Sequence, residues 1–173
     1  MRHVRARTPA YLVWVEHRPT ASRKGKAAYQ DAVRMAAARG IAAPITVPDV
    51  EIELVYSTHV KRAERMDADN VNKPTLDALK GVAYIDDSQV RSVTSTLFDR
   101  NVSHQVAGRV EHMGSLFHSA APDVVLIMVY SDSRLQELGG EAEVQRRRYE
   151  TWQQEFDAAI EGLKERGGRI ATR

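Results

Sequence analysis

Apolar and polar positions alternate most cleanly over residues 50–56, with Val50, Ile52, Leu54 and Tyr56 on one face and Glu51, Glu53 and Val55 on the other. A period of two marks a strand with one buried face. Residues 11–16 are a second β-branched and aromatic run and read as the first strand. Residues 124–130 are the most apolar stretch, as in a central strand, and residues 90–98, full of Val and Thr, form another. Between strands the period changes. Residues 26–39 are Ala-rich, with Tyr29, Val33 and Ala36 at helical spacing and Gly40 just beyond. Residues 70–80 predict a second helix, with Leu76, Leu79 and Val82 on its buried stripe and Gly81 as its stop.

The order strand, helix, strand, helix, strand, strand, helix predicts an α+β fold: a small mixed β-sheet flanked by helices. Residues 17–25 form a polar, basic loop, and Pro44 and Pro48 mark a connection. Residues 99–123 are longer than most connections in compact domains and make a candidate functional loop or a disordered one. After Ser131 the chain changes character. Residues 144–166 are charged and helical, with Trp152, Phe156, Ala159 and Leu163 on one stripe, for packing on the domain or for a dimer contact. The expected division is a domain over residues 1–131 and a helical C-terminal extension over residues 132–173.

A chain of 173 residues fits one domain with a real core and room for an appendage. It has no cysteine, which excludes disulfides, zinc-thiolate sites and thiol nucleophiles and fits a reducing compartment. Residues 1–10 are basic but precede no long apolar run, so neither a signal peptide nor a membrane span is expected, and the location predicted is cytoplasmic. The net charge of +2 says little; local clusters say more. Basic groups gather at Arg2, Arg5 and Arg7, at Arg18, Arg23, Lys24 and Lys26, at Lys61, Arg62 and Arg65, and at Arg146, Arg147 and Arg148. Phosphate backbones attract such groups, although any single cluster equally fits a solvated surface.

The chemistry concentrates in residues 65–79, Arg-Met-Asp-Ala-Asp-Asn-Val-Asn-Lys-Pro-Thr-Leu-Asp-Ala-Leu. Asp67 and Asp69 are two apart, so on an extended chain their carboxylates share a face. Hard oxygen ligands of this kind suit Mg²⁺, which takes one or two carboxylates together with waters and phosphate oxygens. A helix N-terminus disfavours the cation but favours the phosphate. Pro74 is tolerated only in a first turn, so the helix is expected to start between Asp69 and Asn72. Lys73 lies four residues after Asp69 and four before Asp77, on one helical face. It can serve a phosphate transition state or form a plain salt bridge with Asp77. Asp86 and Asp87 precede a strand, and adjacent residues of an extended chain point opposite ways, so at most one of them joins Asp67 and Asp69. Periodicity does not choose between them. A calcium loop starting at Asp67 fails, because Asn72 and Ala78 stand where Gly and Glu are required. No phosphate-binding Gly-rich loop, zinc spacing or acyl-transfer nucleophile is present.

The set Asp67, Asp69, Asn70, Lys73, then Asp77-Ala78-Leu79, then Asp86-Asp87-Ser88-Gln89-Val90 resembles the RusA family of Holliday-junction resolvases. A looser resemblance in element order spans residues 10–131. The resemblance implies a RusA-like fold and a homodimeric, Mg²⁺-dependent endonuclease, with Mn²⁺ able to substitute. Such an enzyme nicks four-way DNA junctions symmetrically, in recombination and repair. By motif position it implies Asp67, Asp69 and Asp87 as metal-binding catalytic carboxylates and Lys73 as the catalytic lysine, choosing Asp87 over Asp86. The long loop 99–123 and the helical tail depart from the compact family pattern. The rival from another class is a branched-DNA-binding protein without catalysis or with a different specificity, which the basic clusters alone would satisfy. A metal-dependent sugar-nucleotide enzyme ranks lower, since no nucleotide-binding half precedes the motif.

Overall fold

The computed structural model describes residues 8–58, 66–99 and 123–140, and positions 143, 144, 146, 147, 150, 151 and 154 of the C-terminal stretch. The interior of the loop 99–123, the basic residues Lys61, Arg62 and Arg65, and the stripe Trp152, Phe156, Ala159 and Leu163 lie outside the described residues.

The described strands are β1 (Tyr11–Val15), β2 (Val50–Thr58), β3 (Val90–Asp99) and β4 (Val124–Tyr130). They form one sheet in the order β1-β4-β2-β3. β4 runs antiparallel to both β1 and β2, while β2 and β3 pair in parallel, so the sheet is mixed as the element order predicts. The apolar run of β4 reflects this central place: its first six residues are buried. The helices are α1 (Lys26–Gly40), α2 (Ala68–Leu79) and α3 (Asp132–Leu138).

Strand alternation sorts the side chains between two faces. Tyr11, Val13 and Val15, Ile52, Leu54 and Tyr56, and Val125, Ile127 and Val129 join Tyr29, Val33 and Ala37 of α1 and Val71, Ala78 and Leu79 of α2 in the main core. Val55, Val124, Leu126 and Met128 form a smaller cluster on the other face, flanked by Leu12, Trp14 and Tyr130. Parallel strands need a crossover, and α2 supplies it between β2 and β3, which places the acidic motif beside β3.

The structure corrects two expectations. α2 begins at Ala68, earlier than Pro74 suggested, so the proline sits inside the helix. Pro74 gives up its hydrogen bond to the carbonyl of Asn70. The extra turn forms because Asp67 caps it, accepting from the Asp69 N–H at 3.1 Å, and because Pro74 is itself buried in the packing of α2. The second correction is α3, a short helix that the periodicity did not announce. Ser131 is its N-cap, accepting from the Arg134 N–H at 3.1 Å and donating to Asp49 at 2.6 Å. Arg134 reaches back to the Tyr11 hydroxyl at 2.7 Å, so the start of the C-terminal stretch is fastened to the sheet. Among the described residues, no helix is long and apolar enough to cross a membrane.

Candidate active site

One face of α2 is polar. Asp69, Asn72, Lys73, Leu76 and Asp77 follow a three-four spacing and open on a single cleft of about 450 Å³. Tyr84, Asp87 and Val90 form its facing wall. The opposite face of α2, Val71, Pro74, Thr75, Ala78 and Leu79, is buried, which fixes the rotation of the helix and points the polar row outward.

Three hydroxyls anchor α2 from below. Tyr29 of α1 lies 2.7 Å and Tyr56 of β2 lies 3.2 Å from the Thr75 hydroxyl, which also donates to the Val71 carbonyl at 2.8 Å. Tyr56 donates to Asn72 Oδ1 at 3.0 Å, and the Asn72 amide donates to Ser95 at 3.1 Å. Three hydroxyl protons thus serve four contacts, so one proton is shared. Burial pushes the Tyr29 hydroxyl up to about 12, against the opposing hydrogen bond from Thr75, and burial followed by the charge of Tyr29 pushes Tyr56 higher still. Both phenols stay neutral, and the network ties Asn72 in the cleft to the core.

The far wall is set by the turn after α2. Gly81 adopts φ +80, a left-handed conformation that suits glycine, and a one-turn 3-10 helix follows at Asp87–Gln89. The Gln89 side chain is buried and fully engaged. Its carbonyl accepts from the N–H groups of Ile85 and Asp86 at 2.7 and 2.8 Å. Its amide donates to the carbonyls of Ile45 and Val47 at 2.9 and 3.1 Å. Tyr84 donates to the Leu76 carbonyl at 2.9 Å, closing the wall against α2. Burial, then the charges of Asp87, Asp77 and Asp86, holds the Tyr84 phenol well above its usual range, so it keeps the proton that it donates to Leu76.

Of the residues expected from sequence, Asp69, Lys73 and Asp87 share the cleft. Asp67 does not line it. One Asp67 oxygen accepts from the Asp69 N–H and the other from the Asn70 amide at 3.1 Å, so its carboxylate is turned onto its own helix. The shared face expected for Asp67 and Asp69 required an extended chain, and Ala68 is already helical. Among the described residues, no three metal-ligating side chains stand as one group. The Lys73–Asp77 salt bridge does not form; Asp77 faces Lys26 at 3.8 Å instead. The premise that Asp86 and Asp87 point opposite ways also fails, because Asp87 begins a 3-10 turn. Both carboxylates meet Lys80 Nζ, at 3.0 Å for Asp86 and 3.2 Å for Asp87. Only Asp87 of the two lines the cleft. The Ser88 N–H, then Lys80, holds Asp86 well below the usual carboxylate range.

Sequence reasoning did not assign roles to Gln89, Tyr84, Asn72 or Lys80. Gln89 was visible as part of the motif, but the long-range partners that give it meaning were not. The donor set fits a hard divalent cation: three carboxylates on one cleft, Asp69, Asp77 and Asp87, room for waters and a phosphate, and Lys73 beside them. The profile of the family described as Endodeoxyribonuclease RusA matches residues 6–111, more than half of the chain. No curated protein matches the chain. The matched span holds both walls of the cleft and the whole acidic motif, and the chain belongs to the RusA family of Holliday-junction endodeoxyribonucleases.

Proposed function

We propose that the protein is a Mg²⁺-dependent endonuclease that resolves four-way DNA junctions by paired nicks, acting as a homodimer in recombination and repair. The carrying observation is the cleft shared by Asp69, Lys73 and Asp87 in a chain of a junction-cleaving family. Asp69 and Asp87 would hold the divalent ion, joined by Asp67 once it exchanges its capping bonds for the metal. The chemistry that Mg²⁺ supplies at such a site is activation of water and neutralisation of phosphate charge.

The chain's own groups do the rest. Lys73, exposed on the polar face of α2, offers an ammonium to the charge that grows on the phosphate oxygens. Asp69 lies in the first turn of α2, where the helix dipole favours a phosphate. Asn72 is held by Tyr56 and Ser95 and keeps the cleft floor fixed. A four-way junction has approximate two-fold symmetry, and a symmetric dimer would present one cleft to each of two strands.

The test is a labelled four-way junction beside a duplex of the same sequence, each with and without Mg²⁺. Cutting of the junction alone, in Mg²⁺ alone, is expected. Equal nicking of both substrates would remove junction specificity, and tight binding without cutting would favour the non-catalytic rival. A supercoiled plasmid bearing a cruciform separates paired from single nicks, since only paired nicks yield linear product.

A further inference from the structure

Lys80 is the C-cap residue of α2, and its ammonium lies 3.0 Å from Asp86 and 3.2 Å from Asp87. Asp87 lines the cleft, whereas neither Asp86 nor Lys80 does. The two carboxylates thus differ in what else they do. Asp86 caps the 3-10 turn, accepting from the Ser88 N–H at 3.0 Å, while Asp87 has Lys80 as its hydrogen-bonding side-chain partner among the described residues.

We propose that Lys80 is a positioning residue that stands in for the divalent cation: it neutralises and holds the Asp87 carboxylate in the metal-free protein and is displaced onto Asp86 when metal binds. This rests on the reading of Asp87 as a metal ligand. A cation in direct contact with Asp87 competes with Lys80, which bonds Asp87 Oδ2, because both are drawn by the charge of one carboxylate. Asp86 makes the exchange easy. Lys80 already touches it, so leaving Asp87 strands no charge, and the turn capped by Asp86 does not move. Asp86 is therefore the resting place of Lys80, and its acidity serves the site without touching the metal.

The experiment is a titration with Mn²⁺ followed by electron paramagnetic resonance, which reads free Mn²⁺ and needs no turnover. Lys80→Met, which keeps an unbranched stem, should bind Mn²⁺ about two- to fivefold more tightly than the wild type, the range of an exposed ion pair. Lys26→Met removes a cation that pairs at 3.8 Å with Asp77, a residue of the cleft lining. At physiological salt, charge outside direct contact is largely screened, so this control should change affinity by less than half as much. In the wild type, the Lys80 ammonium resonance should shift along a Mg²⁺ titration with the same midpoint as metal binding. Unchanged affinity in Lys80→Met, an equal gain in Lys26→Met, or an unmoved Lys80 resonance would each overturn the exchange while leaving the metal site intact. Mn²⁺ binding that survives in both Asp69→Asn and Asp87→Asn would overturn the metal reading itself, and the Lys80 proposal with it. Wild-type melting of each variant secures the comparison.

Discussion

Gln89 and Ile45, 44 residues apart in the chain, are joined by a hydrogen bond of 2.9 Å from the Gln89 amide to the Ile45 carbonyl. Three further bonds, to Val47, Ile85 and Asp86, saturate the same side chain. Gln89 therefore sets the turn that carries Asp87. Gln89→Leu keeps the bulk but leaves four buried or part-buried backbone groups without this partner, and each such group is costly. The variant should lose about 2 kcal/mol or more in urea denaturation and should lose junction cleavage more than its remaining folded fraction explains. Wild-type cleavage by well-folded Gln89→Leu would show that the position of Asp87 does not depend on this bond set.

Thr75 holds the motif helix to the core through Tyr29 and Tyr56. Thr75→Val preserves shape and removes the hydroxyl, leaving two buried phenols short of a partner. It should cost about 1–3 kcal/mol. Thr75→Ser keeps the hydroxyl and loses one methyl, for about 1 kcal/mol. Equal losses in chemical denaturation would assign the role to packing and not to the network.

Much of this was legible in the sequence, for reasons that differ from element to element. Val50, Ile52, Leu54 and Tyr56 alternate because β2 has two unlike faces, and the apolar run of β4 records its central place. The polar row Asp69, Asn72, Lys73 and Asp77 is readable as one helical face once the helix is placed. Its start lies earlier than Pro74 alone implies, because capping by Asp67 and burial of Pro74 outweigh the lost bond. The start of α3 had a local signal, Ser131 followed by Asp132 in the first turn, but no apolar period to support it. The partners of Gln89 and Lys80 depend on the folded turn, and sequence spacing carries no such information.

Asp49 anchors α3. It accepts from the Ser131 hydroxyl at 2.6 Å and the Ser133 N–H at 3.0 Å. Burial raises its pKa, but the bonds from Ser131 and Ser133, with the charge of Arg91, outweigh that and leave the net shift downward. A carboxylate depressed on folding contributes stability that is fully present above its unfolded pKa, about 3.9, and is lost as pH falls through its folded value. Asp49→Asn should therefore cost about 1 kcal/mol at neutral pH, and the gap to wild type should close as pH falls below the unfolded value and through the lower folded one. A gap that stayed constant from neutral to acid pH in thermal melts would show that charge is not what Asp49 contributes.

Asp67 has two separable duties. As an N-cap it accepts from the Asp69 N–H at 3.1 Å; as a proposed ligand it needs its negative charge. Asn caps a helix about as well as Asp. Asp67→Asn should therefore melt within about 0.5 kcal/mol of wild type, whereas Asp67→Ala should cost about 1 kcal/mol. If Asp67 joins the metal, both variants should lose cleavage, and Asp67→Asn should do so with the fold intact. Cleavage retained in Asp67→Asn and lost only in Asp67→Ala would make Asp67 a cap alone.

Lys73 carries the sharpest prediction. It opens on the cleft with Asp69 and Asp87, and among the described residues it forms no ion pair, while Asp77 faces Lys26. A lysine on an exposed helical face without a partner contributes little to folding, so Lys73→Ala should change stability by no more than about 0.5 kcal/mol. If its ammonium meets the developing phosphate charge, the single-turnover cleavage rate should fall on the order of 100-fold. Junction affinity should fall far less, since one phosphate contact among many contributes modestly. Lys73→Arg should rescue poorly, because a planar fork does not replace a compact point charge. A rate that falls in step with affinity, and is restored at saturating protein, would make Lys73 a DNA contact. Near-normal single-turnover cleavage at saturating Mg²⁺ would remove it from the chemistry and leave Asp69 and Asp87 to act without a lysine.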